Sequence, residues 1–184
     1  MRTVIQPPAE EAITLARAKV HLRIEDDELD AEGEALLRDG IEAVRQMAEG
    51  ELLRPLLLQT CLFRADRLSH RLRLWNDVTA VTEVRYRDIN GVDQLFPLVR
   101  CTVEGARTLV LIGDLPSDAT AVRVTFTCGA WADPASVPSS VVRWMLLHLG
   151  SLSEIRQTVT YAQTFAVPGL FVARLLDPFR CVEI

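Results

Sequence analysis

Val81-Thr82-Glu83-Val84-Arg85-Tyr86-Arg87-Asp88-Ile89-Asn90-Gly91 decides how the middle of this chain folds. From Val84 onward apolar and charged residues alternate, the period of a strand with one buried face. Asn90 and Gly91 both tolerate positive backbone angles, so the pair predicts a tight primed turn and a returning strand near 94–97. Working outward, residues 57–66 and 71–75 on one side and 99–103, 108–112 and 121–127 on the other also read as strands. Turn residues separate them at Glu104-Gly105 and Pro116-Ser117-Asp118. The centre, over about 57–128, is therefore expected to be one antiparallel sheet of about five to seven strands built from hairpins.

Pro55 separates this region from a helical one upstream. Thr14 can cap a helix whose face carries Leu15, Ala18 and Leu22, which predicts a helix over about 15–22. An acidic stretch follows, and Leu36, Leu37, Ile41, Val44 and Ala48 then recur at helical spacing. That predicts a second amphipathic helix over about 30–49, with carboxylates in its first turn beside the free amide groups. A calcium loop is the sharper reading of the same acids. It fails by position: counted from Asp26, Ala31 stands where the sharp-turn glycine belongs and Leu37 where the bidentate glutamate belongs. The first eleven residues, with Pro7 and Pro8 and no period, read as an irregular arm that needs a partner surface to become ordered.

Downstream, Pro138 suits the first position of a helix, which is expected to run over about 138–157. Val141, Val142, Trp144, Met145, Leu146, Leu147 and Leu149 cover more than one of its faces. Such a helix must be buried on several sides, in the core or against another subunit. Residues 158–168 carry no charge and no period, and Pro168-Gly169 leads into apolar Leu170, Phe171, Leu175, Leu176 and Phe179. The reading is one domain over 1–157 and an extended docking tail over 158–184. Trp144, His148, Leu175, Leu176, Phe179 and Arg180 are the candidate contacts to another subunit.

Composition narrows the function. A chain of 184 residues, 49% hydrophobic, is long enough to bury one sizeable core. No apolar run reaches the roughly 18–20 residues of a membrane span, and the start lacks the apolar stretch of a secretory signal, so the protein is expected to stay in the cytoplasm. Cys61, Cys101, Cys128 and Cys181 lie too far apart for a zinc ribbon. The net charge of -5 argues against a global basic field for nucleic acid. No phosphate-binding glycine loop, dinucleotide fingerprint, zinc-protease helix or nucleophile elbow is present, and His21, His70 and His148 stand apart. His148, on a mostly apolar helix, reads as a hydrogen-bonded core or interface residue. Trp75, Trp131 and Trp144 lie near Arg71, Arg73 and Arg143 and could stack bases, but alternating Arg71-Leu72-Arg73-Leu74-Trp75 better fits a half-buried strand. No catalytic residue, metal ligand or cofactor is assigned. A carboxylate enzyme without a recognisable motif and a nucleic-acid-binding module are the alternatives.

Three local patterns then carry a resemblance. Leu15 with Lys19-Val20-His21-Leu22-Arg23-Ile24 precedes the acids and the long helix. Leu58-Gln59-Thr60 opens the first strand, and Val81 to Asp88 with Asn90-Gly91 forms the hairpin. Val124-Thr125-Phe126-Thr127-Cys128-Gly129 leads through Val137-Pro138 to the apolar helix, Ser153-Glu154-Ile155-Arg156 and the terminal Leu175-Leu176-Asp177-Pro178-Phe179-Arg180. In order and spacing, over about residues 14–180, these resemble the small head-tail connector (adaptor) proteins of tailed bacteriophages and gene transfer agents. The resemblance implies a small helical bundle with an antiparallel β-rich insertion. It also implies a structural, non-enzymatic role, as a ring of about twelve copies between the portal protein and a tail-side neck or stopper protein, with DNA passing through its channel. Such a subunit is assembled in the host cytoplasm and ends in the neck of the particle.

Overall fold

The computed structural model describes residues 1–25, 28–156 and 169–181. It is a mixed α+β fold that divides into a β unit, Met1–Ala9 with Leu57–Ala132, and a helical unit, Glu10–Leu56 with Asp133–Ile184.

In the β unit the strands are β1 (Arg2–Gln6), β2 (Gln59–Arg67), β3 (Arg71–Arg73), β4 (Val78–Arg87), β5 (Asp93–Leu95), β6 (Cys101–Glu104), β7 (Thr108–Leu111) and β8 (Thr120–Cys128). They form two antiparallel sheets, of order β1-β2-β8-β4-β5 and β3-β7-β6, where one sheet was expected. The strict alternation of β8 explains the larger sheet. Val122, Val124, Phe126 and Cys128 are buried while Arg123, Thr125 and Thr127 point to the other face. Register carries the same division to its neighbours, setting Cys61 and Val81 beside Phe126, and Arg64 and Arg85 beside Arg123. Leu72, Leu109 and Leu111 of the smaller sheet complete one core with Trp75, Val84, Val122, Val124 and Phe126.

Two local expectations are corrected. The N-terminal arm is not irregular: β1 pairs with the edge of β2, the Met1 ammonium donates to the Arg64 carbonyl at 2.9 Å, and the Arg2 guanidinium lies 3.9 Å from the Trp75 ring centre. Every residue of β1 is exposed, so no burial pattern marks it in the sequence. The Asn90-Gly91 turn is also longer than a two-residue primed turn. The Asp88 carboxylate accepts from the amides of Asn90 and Val92, both at 2.9 Å, and only Gly91 takes a positive φ, at 76°. This side-chain-capped loop spans the residues between β4 and β5. Residues 98–100 form a 3-10 turn before β6 begins at Cys101.

The helical unit holds α1 (Leu15–Leu22), α2 (Ala31–Leu52), α3 (Ser139–Arg156) and α4 (Gly169–Arg174). Thr14 caps α1 by accepting from the Arg17 amide at 3.2 Å, and Asp30 caps α2 by accepting from the Gly33 amide at 2.8 Å. Glu32 and Glu34 occupy the first turn of α2, as the macrodipole favours. Ile41, Val44, Ala48 and Leu52 of α2 are buried, with Val141, Val142, Trp144, Met145, Leu146 and Leu149 of α3. That wide burial accounts for the apolar character of α3 on more than one face.

Candidate assembly interface

The six contact candidates all lie in the helical unit, and the structure gives them different surroundings. Trp144 is only 4% exposed. One turn on, the half-buried His148 stacks on it with ring centres 3.7 Å apart, and its Nδ1 donates to the Trp144 carbonyl at 3.0 Å. The stack fixes the imidazole against the helix and leaves Nε2 as the ring atom able to meet another group.

The end of the chain was expected to be an extended tail. Residues 157–168 and 182–184 fall outside the described residues, but 169–181 are locally folded: α4 is followed by a 3-10 turn, Asp177–Phe179. Leu176 is completely buried. Arg180 donates to the Glu51 carbonyl at 2.9 Å and pairs with its carboxylate at 3.1 Å, while the Cys181 amide donates to the Leu52 carbonyl at 2.9 Å. These bonds seat the segment on the C-terminal end of α2. Burial of Leu176 and pairing of Arg180 stabilise that seat, and Leu175 and Phe179 remain half-buried.

Two features of the helical unit were not singled out in the sequence. One is an apolar groove of about 560 Å³, lined by Leu22, Ile24, Leu29, Leu36, Leu149 and Leu152 among others. Gly40 lets α2 and α3 approach beside it, since a Cβ there would stand 3.2 Å from the Leu149 side chain. The other is a buried ion cluster. The Arg45 side chain, 2% exposed, donates through Nε to Glu11 at 2.9 Å and through a terminal nitrogen to Glu49 at 3.3 Å. Glu49 in turn accepts from the Leu56 amide at 3.0 Å.

Charge is divided unequally between the units. The β unit has ten arginines against eight carboxylates, net +2, and the helical unit has nine arginines and Lys19 against seventeen carboxylates, net -7; together these give the -5 of the whole chain. In the helical unit the hydrogen bond and charge of Lys19, with Arg38 adding to them, hold the Glu34 carboxyl below its usual range. In the β unit Arg123 does the same for Asp93, and the Gln94 side chain and the Val92 and Asn90 amides for Asp88. Burial pushes the Cys101 thiol up. A carboxyl whose folded pKa is depressed contributes stability that is present above its unfolded value and lost as pH falls through the folded one. Urea midpoints should therefore fall as the pH drops from neutral to below about 4. Glu34→Gln should flatten that decline, and an equal decline in the variant would exclude Glu34 as a contributor.

The described residues contain no group of three or more His, Cys, Asp or Glu side chains able to hold a metal ion, and none of the helices among them is long and apolar enough to cross a membrane. Trp75 is a core residue of the β unit, 8% exposed, and Arg71 pairs with Glu104 at 2.7 Å, so this pair does not form an open stacking site.

No family model matches the chain, and no curated protein matches it. Solved structures do. A chain in the neck of an empty GTA particle, computed with C6 symmetry, is 22% identical with a TM-score of 0.73, covering 100% of this chain and 97% of that one. A chain in the virion of a native gene transfer agent (GTA) particle gives 22% and 0.71 over the same shares. A chain in the neck of a native GTA particle, computed with C12 symmetry, gives 21% and 0.59, covering 98% and 97%. The likeness establishes a shared fold from one end of the chain to the other.

Proposed function

We propose that this chain is a structural subunit of the neck of a gene-transfer-agent or phage-like particle. Copies form a ring of about twelve between the portal protein and a tail-side neck protein, and DNA passes through the opening. The observation that carries the reading is the end-to-end fold likeness to a neck chain, at a TM-score of 0.73 with 100% and 97% of the two chains covered. An enzyme or a nucleic-acid module that merely borrowed part of such a fold would not be expected to match over its whole length. The six- and twelve-fold symmetries of those particles fit a subunit that meets its neighbours through two different faces.

On this reading the chain acts by assembly and performs no chemistry. It is made and assembled in the host cytoplasm and ends in the particle. His148, Leu175, Phe179 and Arg180 face neighbouring subunits or the portal, while Trp144 and Leu176 hold that surface in shape from within. Deleting the gene in cells that make the particles is the test. DNA-filled heads without tails should accumulate, and supplying the chain in trans should restore tails. Tailed particles in normal number from the deletion strain would overturn the proposal.

A further inference from the structure

The outward face of the five-stranded sheet carries three arginines in one cross-strand row. Arg64 on β2 and Arg85 on β4 each stand directly opposite Arg123 on β8. Like charges directly opposite one another repel across a spacing of about 5 Å, so a row of this kind is unfavourable in an isolated sheet. Neighbouring carboxylates relieve two of the three. Glu83 accepts from Arg85 at 2.8 Å, and Asp93 pairs with Arg123. Even so, Nε of Arg123 is buried with no hydrogen-bond partner. Arg64 is exposed, and its guanidinium has no ion pair among the described residues.

The complement of this row lies in the helical unit. Glu10, with Asp39 and Glu42 of α2, rims a cleft of about 430 Å³ whose apolar lining includes Ile13, Leu15 and Ile41. Arg38, also at this rim, is held by Glu34 at 3.1 Å. Glu10 and Asp39 are exposed and have no cationic partner among the described residues. An arginine arriving from outside could lay its methylene stem on the apolar lining and present its fork to these carboxylates.

Resting on the neck-ring reading, we propose that the Arg64-Arg123-Arg85 row is a docking surface for a second copy of this chain, received by the acidic Glu10 and Asp39 region of that copy's helical unit. Charge complementarity selects this occupant: a +2 unit and a -7 unit in every copy allow each subunit to offer one sign and accept the other. Such a contact joins two different faces, as a closed ring requires. Passing DNA is the less suitable occupant, because Glu83 and Asp93 lie among the arginines and would repel phosphates.

Alternation of charge supplies the test. Arg64→Glu and Asp39→Arg are made separately, both at exposed positions, with thermal melting to confirm that each chain is folded. Each is expressed alone, and then both together, in particle-producing cells that lack the wild-type gene. Copies meeting their own kind bring like charges together, so either variant alone should enter purified particles at least about tenfold less than wild type. Expressed together they can alternate around the ring. At one junction the introduced glutamate then meets the introduced arginine, at the next the unchanged Arg64 meets the unchanged Asp39, and incorporation should recover toward the wild-type level. Normal incorporation of the single variants, or no recovery of the mixture, would overturn the interface while leaving the neck assignment intact. Absence of wild-type chain from the particles would overturn both. Normal incorporation of Arg64→Glu with a loss of DNA binding would reassign the row to nucleic acid.

Discussion

Replacing Arg45 by alanine is expected to destabilise the helical unit by about 3–5 kcal/mol, the cost of leaving a buried charge without its partner. The guanidinium is almost wholly enclosed and holds the carboxylates of Glu11 and Glu49 together, with Glu42 at 3.6 Å. Glu49 has only 5% of its side chain exposed, so water cannot replace the lost cation. Removing Glu49 as well would carry a separate penalty, because its other oxygen satisfies the buried Leu56 amide. Arg45→Met with Glu49→Gln keeps that acceptor and removes both charges. The double variant should recover most of the loss, which urea denaturation of the two singles and the double can apportion. A loss below about 1 kcal/mol for Arg45→Ala would mean that solvent reaches the cluster.

Phe126→Ala is expected to cost about 3–5 kcal/mol in the β unit. The ring is fully buried on β8, a strand paired on both sides, with Cys61 and Val81 as its register neighbours. Strands paired on both edges cannot readily collapse into the space left behind, so most of the cavity should persist. Thr125→Ala, one residue away on the opposite face, serves as the control and should change stability by no more than about 0.5 kcal/mol. Equal effects of the two substitutions would contradict the assignment of faces to β8.

Much of this architecture is legible in the residues because local chemistry and tertiary packing agree. Thr14 marks the start of α1 and the acid-rich first turn that of α2, and the alternation of β8 divides its two faces without any knowledge of its partners. The parts that are not legible are those decided by distant residues. β1 has no buried position and becomes a strand because β2 offers an edge and Trp75 offers a ring to Arg2. The hairpin loop lengthens because Asp88, outside the Asn90-Gly91 pair, takes two amides. Arg45 and Glu49 look like an ordinary surface pair at i,i+4, and only burial changes their weight.

The candidate interface follows the same rule. The Trp144-His148 stack is one helical turn and could be anticipated from spacing alone. The folded end of the chain could not, since Arg180 and Glu51 are 129 residues apart. The arginine row needs the register of three strands to exist at all: Arg64 and Arg123 come from opposite ends of the insertion. Charge counted over the whole chain likewise hides the division between its two units, because a positive β unit and a negative helical unit partly cancel.

Electron cryo-microscopy of the neck in intact particles from the cells that encode this chain tests the central claim most directly. The expected result is a ring of density below the portal into which the β unit and the helical unit of this chain fit in every repeat, with side chains matching Trp75, Phe126 and Trp144. A neck whose density is filled completely by other proteins, with this chain absent from the particle, would contradict it.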